Sequence, residues 1–130
     1  MEEKLQRLKT LLGEMDDLAR ASAVLGWDQQ TYMPPGGGED RGNQLATLAR
    51  IEHEMATSDE MARLLADLEP YAAGLDPESD DACLVRVTKH GFEKSAKVPG
   101  RWVSDFAQLT TLSQEAWVKA RQSNDFASFQ

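Results

Sequence analysis

The stretch that decides the fold occupies positions 25 to 38 and reads Leu25-Gly26-Trp27-Asp28-Gln29-Gln30-Thr31-Tyr32-Met33-Pro34-Pro35-Gly36-Gly37-Gly38. Pro34 and Pro35 have no backbone N–H to donate, and a residue that precedes proline is pushed out of the helical region. The three glycines that follow allow the chain to reverse. We therefore predict that a first helix covers residues 2–31 and that a second begins near Asp40.

The first predicted helix carries a broad apolar face. Its members recur at alternating steps of three and four residues, as an amphipathic helix requires. They are Leu5, Leu8, Leu12, Met15, Ala19 and Ser22, and Leu11, Leu18 and Leu25 widen the stripe. This face predicts that the helix packs on other helices along most of its length.

Three more helices are predicted between positions 40 and 94. The second covers residues 40–56, and Ser58 has the residue type of an N-cap for the third. The third carries an apolar face made of Met61, Leu64, Leu65 and Leu68. A connection over residues 70–77, which contains two prolines, separates it from a fourth helix over residues 78–94. The inward positions predicted for that helix are Leu84, Val85, Thr88 and Phe92.

A fifth helix is predicted after the break at residues 98–100. It carries, again at steps of three and four residues, Trp102, Phe106, Leu109, Ser113, Ala116, Trp117 and Ala120. Residues 123–125 have the types of an N-cap and first turn, with Phe126 and Phe129 following at helical spacing. A helix that has an N-cap but stops within one turn is equally consistent with a truncated chain and with a natural C-terminus that is frayed.

The fold class predicted by these patterns is all-α. About five helices, the first one long, would form antiparallel hairpins or a bundle, because no stretch alternates with period two for long. Residues 1–130 are expected to form one region without an internal boundary.

Composition excludes several partners. The 130 residues carry a net charge of −8, with basic residues scattered among acidic ones. Nucleic acid and anionic membranes are therefore unlikely partners, because binding to either depends on clustered Lys and Arg. The polar start of the chain has no apolar signal region, so the expected location is cytoplasmic.

Candidate metal ligands are too few for a catalytic site. Catalytic zinc normally has three protein ligands, and the chain has only two histidines, His53 and His90. The run from His53-Glu54 to Thr57 resembles the His-Glu-x-x-His motif of zinc proteases, but Thr57 stands where the second histidine is needed. We therefore predict no catalytic residue and no metal ligand in this chain. Cys83 has no partner for a disulfide, and it is expected to be a packed residue.

Residues 27–35 are an exception among these helical patterns. Trp27 and Tyr32 stand there among an acid, two amides and a hydroxyl. A core helix is less polar than this, and a solvated face seldom carries two such aromatics. The mixture favours a surface that contacts another part of the protein or a polar ligand such as a peptide.

The same stretch resembles the N-terminal signature of the thermostable carboxypeptidase 1 (carboxypeptidase Taq) family. The resemblance starts with the run from Leu25 to Gly37. It continues through Arg41 and Gln44-Leu45-Ala46-Thr47-Leu48, His53-Glu54, Val98-Pro99, Trp117 and Asn124-Asp125-Phe126-Ala127-Ser128-Phe129. It covers essentially the whole chain, and its most specific part is Trp-Asp-Gln-x-Thr-x-Met-Pro.

This resemblance implies a fold, an activity and a set of partners. Members of the family are longer, almost entirely helical metallopeptidases that remove C-terminal residues from peptides, and they are often homodimers. Their His-Glu-x-x-His helix and a third ligand, a Glu, lie far downstream, so this chain would be about the first quarter of such a protein. Zinc, or another divalent metal, would belong to the full-length parent and not to this chain. The expected partners are the downstream catalytic region, a peptide substrate and a second copy.

The family signature also implies candidate site residues. They are expected to contact the substrate groove or another domain, and none of them is a zinc ligand or a general base. These positions are Trp27, Asp28, Gln29, Thr31, Tyr32, Met33, Arg41 and Gln44. The family's N-terminal helices fold over the groove as a wall or lid, which is the role expected here.

Two functions remain open at this point. The chain is either the N-terminal helical part of a carboxypeptidase, inactive alone, or a free-standing helical module for protein interaction or oligomerisation. A helical domain unrelated to peptidases is a third, weaker alternative. A downstream His-Glu-x-x-His helix in the same reading frame would favour the first.

Overall fold

The computed structural model of the protein describes residues 1–128, so the predicted position Phe129 lies outside the described residues. Within this range the chain forms five α-helices and no β-strand. The helices are α1 Glu2–Thr31, α2 Gly38–Ala56, α3 Asp59–Ala72, α4 Asp80–Ser95 and α5 Gly100–Ser123. The prediction of an all-α fold is therefore confirmed. None of the helices in residues 1–128 combines the length and apolar character that crossing a bilayer requires.

Serine side chains set the beginnings of α3 and α4. The Ser58 Oγ accepts a hydrogen bond from the Met61 N–H at 3.1 Å, which confirms the predicted N-cap. The Ser79 Oγ accepts from the Ala82 N–H at 3.4 Å in the same way. Because Ser79 is the cap, α4 begins at Asp80, two residues later than predicted.

The prediction that α3 ends at Pro70 is wrong. The helix continues through this proline to Ala72, and the Ala73 N–H donates to the Glu69 carbonyl at 3.0 Å. A proline near the end of a helix removes one backbone hydrogen bond and leaves few residues beyond it to disturb. Tyr71 and Ala72 pack against the core, and this burial offsets the lost bond.

The described chain divides into two compact units. The first contains Met1–Leu18 and Glu52–Pro99, and the second contains Ala19–Ile51 and Gly100–Gln130. Helices α1 and α2 therefore each contribute residues to both units.

The first unit holds a hydrophobic core built from α1, α3 and α4. Its buried members are Leu5, Leu8, Leu11, Met61, Leu65, Leu68 and Val85. The predicted apolar faces at the start of α1 and along α3 are confirmed by this core. On α4, Val85 is buried and Phe92 packs against the core from its edge.

Ion pairs surround this core and join α1 to α3 and α4. They are Lys4–Asp67, Arg7–Glu60 and Lys9–Asp81, each with an N–O distance of 2.7 Å. All six side chains are about half exposed, so each pair contributes little free energy and mainly favours one alignment of the helices.

The second unit brings α5 close to the start of α2. A Cβ added at Gly38 would lie 1.6 Å from the Glu115 Oε2, and one added at Gly42 would lie 3.5 Å from the Gln108 Cγ. The Gln108 side chain also donates to the Asn43 Oδ1 at 2.7 Å. A side chain at Gly38 would therefore displace the Glu115 carboxylate, whereas Gly42 is at ordinary contact distance from α5.

The apolar face predicted for α5 is largely exposed. Trp102, Phe106, Leu109 and Trp117 are all exposed, whereas Thr111, on the opposite side of the helix, is buried. The partly buried positions Val103 and Ala107 lie on the Thr111 side. Within the second unit α5 therefore packs through its smaller residues, and its aromatic side chains lie on the other side of the helix. Apolar spacing alone could not distinguish the two faces.

The predicted N-cap at Ser123 is also wrong. Ser123 is the last residue of α5, and Asn124 takes a left-handed conformation with a φ of 55°. The Asp125 N–H then donates to the Ala120 carbonyl at 2.9 Å, which closes the helix. Asparagine tolerates this conformation better than most residues, so it serves here as a C-terminal stop.

We expect the Leu68→Ala variant to lose about 3 kcal/mol of unfolding free energy, because a fully buried leucine leaves a cavity when it is truncated. Urea denaturation followed by circular dichroism measures this change. The matched control is Val87→Ala on α4, where the side chain is 68% exposed and the change should stay within about 0.5 kcal/mol. Equal losses for the two variants would contradict the described core.

The Arg7–Glu60 pair predicts a pH dependence. The hydrogen bond from Arg7 lowers the pKa of the Glu60 carboxyl below its ordinary value. A carboxyl with a lowered pKa in the folded state stabilises the protein at neutral pH, and this contribution is lost as the pH falls through the folded-state pKa. An NMR titration of Arg7→Gln should show the Glu60 pKa returning towards its ordinary value. Lys4→Gln, which breaks a neighbouring pair, should leave the Glu60 pKa unchanged; an equal change in both variants would contradict the assignment.

Candidate functional site

All eight predicted signature residues lie in the second unit, around the connection between α1 and α2. Trp27, Asp28, Gln29 and Thr31 occupy the end of α1, Tyr32 and Met33 begin the connection, and Arg41 and Gln44 lie near the start of α2. The structure therefore brings together residues that are separated by up to 17 positions in sequence.

The Arg41 guanidinium joins the two helices. Its Nη2 donates to the Asp28 Oδ2 at 2.6 Å, and its Nη1 donates to the Leu25 carbonyl in α1. Its Nε donates to the Gln44 Oε1 at 3.1 Å. The Arg41 side chain is only 11% exposed, so these acceptors replace the water that it loses. Asp28 and Arg41 both belong to the predicted signature, but their pairing was not predicted.

Backbone hydrogen bonds shape the connection itself. The Asp28 carbonyl accepts from the N–H groups of both Tyr32 and Met33, at 3.0 and 2.9 Å. The Gly37 N–H then donates to the Pro34 carbonyl at 2.9 Å, which closes a turn. α1 thus ends at Thr31, as predicted from the two prolines.

The glycines of this turn serve a purpose different from the predicted one. No glycine among residues 1–128 has a positive φ, so the conformational freedom of Gly36, Gly37 and Gly38 is not what the turn uses. A Cβ at Gly37 would lie 3.0 Å from the Met33 Cγ, and Gly38 lies against Glu115. A side chain at either position would therefore require the Met33 or the Glu115 side chain to move.

Two further signature residues have structural partners. The Gln29 Nε2 donates to the Thr111 carbonyl at 3.1 Å and so connects α1 to α5. The Thr31 Oγ1 donates to the Trp27 carbonyl at 2.8 Å, one turn back in α1. Asp28, Gln29, Thr31, Arg41 and Gln44 thus all take part in hydrogen bonds within the protein.

Trp27 and Tyr32 differ from these residues because they are exposed. Trp27 is 59% and Tyr32 77% exposed, and their ring centroids lie 5.6 Å apart with the planes tilted by 56°. The hydrogen-bonded residues beside them fix the backbone that carries both rings. This aromatic pair is therefore the part of the signature that is free to contact something else.

A cavity of about 510 Å³ lies beside the connection and within the second unit. Amide, apolar and charged side chains line it, among them Gln30, Gln114, Met33, Val118, Glu115 and Lys119. An amide both donates and accepts hydrogen bonds. The residues of α5 that line it were not recognised from the sequence, because nothing in their spacing links them to residue 30.

The residues that could bind a metal ion are spread over the described part of the chain. Among residues 1–128, no group of three or more His, Cys, Asp or Glu side chains is arranged to hold a metal ion. His53 lies in the last turn of α2, and its carbonyl accepts from the Thr57 Oγ1 at 2.7 Å. Cys83 is partly buried on α4, with the Arg86 Nη2 at 3.1 Å from its sulfur.

Comparison with known proteins gives the family of this all-helical chain. The family model "Carboxypeptidase Taq (M32) metallopeptidase" matches residues 7–130. The chain therefore belongs to the carboxypeptidase Taq (M32) metallopeptidase family.

Individual relatives agree with this assignment. The chain is 32% identical over 124 residues to thermostable carboxypeptidase 1 of Thermus thermophilus, covering 95% of this chain and 24% of the relative. It is 29% identical over 119 residues to carboxypeptidase 1 of Bacillus subtilis, covering 92% and 23%. The crystal structure of BsuCP superposes with a TM-score of 0.91 at 26% identity, covering 98% of this chain and 25% of that one. The chain thus spans about a quarter of the length of the relatives it matches.

We expect the Arg41→Ala variant to lose about 2 kcal/mol of unfolding free energy, because it leaves a carboxylate and a carbonyl without their charged donor. Chemical denaturation measures the loss. The control is Arg101→Ala, which removes a guanidinium that is 92% exposed and should change stability by about 0.5 kcal/mol or less. An Arg41→Ala variant as stable as this control would show that the contact between α1 and α2 is incidental.

Proposed function

We propose that this chain forms the N-terminal helical part of a metal-dependent carboxypeptidase that releases C-terminal amino acids from peptides, and that it is inactive alone. The single observation that carries the proposal is the family match over residues 7–130, together with relatives of which the chain spans only about a quarter.

The role proposed for this part is to shape or cover the substrate groove. Trp27 and Tyr32 supply exposed aromatic rings on a backbone that Arg41 holds in place. The neighbouring cavity supplies amides for a peptide backbone and apolar groups for side chains. Aromatic rings beside a few fixed polar groups are a common composition of ligand sites. Together these features favour contact with peptide over a purely structural role.

The metal of the parent enzyme would be bound elsewhere. A catalytic zinc supplies an activated water for attack on the scissile carbonyl. The described residues of this chain do not fit such an ion, because Thr57 stands in place of a second histidine and no other three-ligand group is present in residues 1–128. Under this proposal the downstream catalytic region supplies the metal ligands and the general base, and it determines which metal is bound.

The cytoplasmic location and the homo-oligomeric state of the parent stay predictions. The alternative function, a free-standing helical interaction module, is favoured by one observation, the exposed apolar stripe on α5. The two functions differ in what happens when the remaining three quarters of a family member are supplied, since only the first predicts peptidase activity.

A chimera tests the proposal. This chain replaces the matching segment of Thermus thermophilus carboxypeptidase 1, and release of C-terminal amino acids is assayed with and without a metal chelator. We expect chelator-sensitive activity from the chimera and none from this chain alone. Tyr32→Ala in the chimera should lower kcat/KM about tenfold if the ring contacts the peptide, as loss of one contact in the transition state would.

The matched control is Val24→Ala, an exposed apolar position on α1, which should leave kcat/KM unchanged. Circular dichroism of each variant separates a loss of contact from a loss of fold. Release of amino acids by the isolated chain would contradict the proposal, as would a folded chimera without activity.

A further inference from the structure

Another cavity lies in the first unit, between the end of α3 and α4. It has a volume of about 430 Å³, which falls in the range usual for sites that bind small molecules. Residues of α3, of the connection after it and of α4 line the cavity, and none of the eight signature residues does. The cavity therefore belongs to a part of the chain that the proposed function does not use.

The inner wall of this cavity is apolar. Ala72 of α3, Leu75 of the connection, and Ala82 and Val85 of α4 contribute to it. Ala82 and Val85 are buried, with 6% and 3% exposure. The alanines carry only a methyl group, so the space between the two helices stays unfilled. An apolar group that entered this space would be stabilised by the release of water from the wall.

Charged side chains surround the apolar wall, and most of them form ion pairs with one another. The Lys89 Nζ donates to the Glu69 Oε1, and it lies 3.9 Å from the Glu93 Oε1. All three residues line the cavity. One ammonium group therefore serves two carboxylates, and this part of the rim does not attract a further anion.

Arg86 is the charged residue of the rim that differs. Its Nη1 donates to the Pro77 carbonyl at 3.2 Å, and its Nη2 lies 3.1 Å from the Cys83 Sγ. Neither partner is a carboxylate, and sulfur is a weak acceptor. A guanidinium has five N–H donors, so these two contacts leave donors for a further acceptor. A carboxylate is the acceptor that matches its geometry best, through two parallel hydrogen bonds.

The remaining polar groups restrict the ligand further. Among the described residues that line the cavity, none has an amide or hydroxyl side chain. Such side chains are suited to the repeated N–H and C=O groups of a peptide, so a ligand with a single polar end matches the lining better. Glu69 and Glu93 would repel a second negative charge at the rim. The lining therefore favours one carboxylate joined to an apolar tail.

We propose that the cavity between α3 and α4 binds a small aliphatic monocarboxylate, with its carboxylate on Arg86 and its tail against Ala82 and Val85. The proposal does not rest on the peptidase function, because the cavity lies in the first unit and the signature residues lie in the second. Either proposal can fail without the other.

Titration of the 130-residue chain with octanoate, followed by amide NMR spectra, tests the site. We expect saturable shifts for the amides of Ala72, Leu75 and Val85, and none for Tyr32. Arg86→Gln should weaken octanoate binding at least about tenfold, because it removes a charge-assisted hydrogen bond. The matched control is Arg101→Gln, which changes a 92% exposed arginine on α5 and should leave the affinity unchanged.

Two further ligands test the carboxylate. Octanol has the same tail without a charge, and it should bind about tenfold more weakly than octanoate. Suberate has the same length with a carboxylate at each end, and the glutamates of the rim should weaken its binding by a similar factor.

A cavity-filling variant tests the place of the tail. Ala73 lines the cavity at an exposed position, so Ala73→Leu should occupy part of the space without disturbing the core. We expect it to weaken octanoate binding at least about tenfold, because close packing leaves no room for both groups. Circular dichroism checks that each variant keeps its helices.

Four results would overturn the proposal. They are octanoate that shifts no amide around the cavity, equal affinities of Arg86→Gln and Arg101→Gln, octanol that binds as tightly as octanoate, and a short peptide ending in leucine that binds this cavity more tightly than octanoate. The last result would assign the cavity to a peptide. Shifts confined to the cavity, together with their loss in Arg86→Gln and the predicted order of ligands, support the proposal.

Discussion

The Arg41 guanidinium is the contact on which the arrangement of the signature residues depends. It holds the Leu25 carbonyl and the Asp28 carboxylate of α1 against the start of α2, and its side chain is almost excluded from water. A cation in this position is costly unless its donors are satisfied, so the acceptors and the turn have to be in place together. These contacts fix α1 and α2 relative to each other, and the backbone between them leaves the Trp27 and Tyr32 rings exposed. Within the same unit, Glu115 of α5 lies against Gly38 at the start of α2.

The ends and caps of the helices could be predicted from the sequence, but the residues that pack against one another across helices could not. The end of α1 and the Ser58 cap follow from residue types that act within one turn of a helix. The predicted end of α3 at Pro70 was wrong, and the packing side of α5 was not predicted, because both depend on residues distant in sequence. Tyr71 and Ala72 pack against the core beyond the proline, and α5 is buried around Thr111. The Asp28–Arg41 ion pair depends in the same way on the geometry of the turn between the two residues. Their spacing in the sequence does not reveal that geometry.

The family signature separates into two groups of residues with different physical roles. Asp28, Gln29, Thr31, Arg41 and Gln44 form hydrogen bonds inside the second unit, and they account for the polarity that a core helix would not have. Trp27 and Tyr32 account for the aromatic content of the signature, and their side chains are exposed. The proposed peptide contact therefore concerns the aromatic pair and the adjacent cavity, whereas the polar residues hold these features in position. A stretch that resembles a binding motif in sequence is, for the larger part, a structural element.

A double-mutant cycle on Asp28 and Arg41 tests this account most directly. The unfolding free energies of Asp28→Ala, Arg41→Ala and the double variant give the coupling between the two side chains. A structural contact of this geometry predicts a coupling of about 1–3 kcal/mol. The same cycle on the exposed pair Arg101 and Asp105 should give about 0.5 kcal/mol or less. A coupling between Asp28 and Arg41 no larger than in that exposed pair would contradict the claim that the signature holds α1 and α2 together.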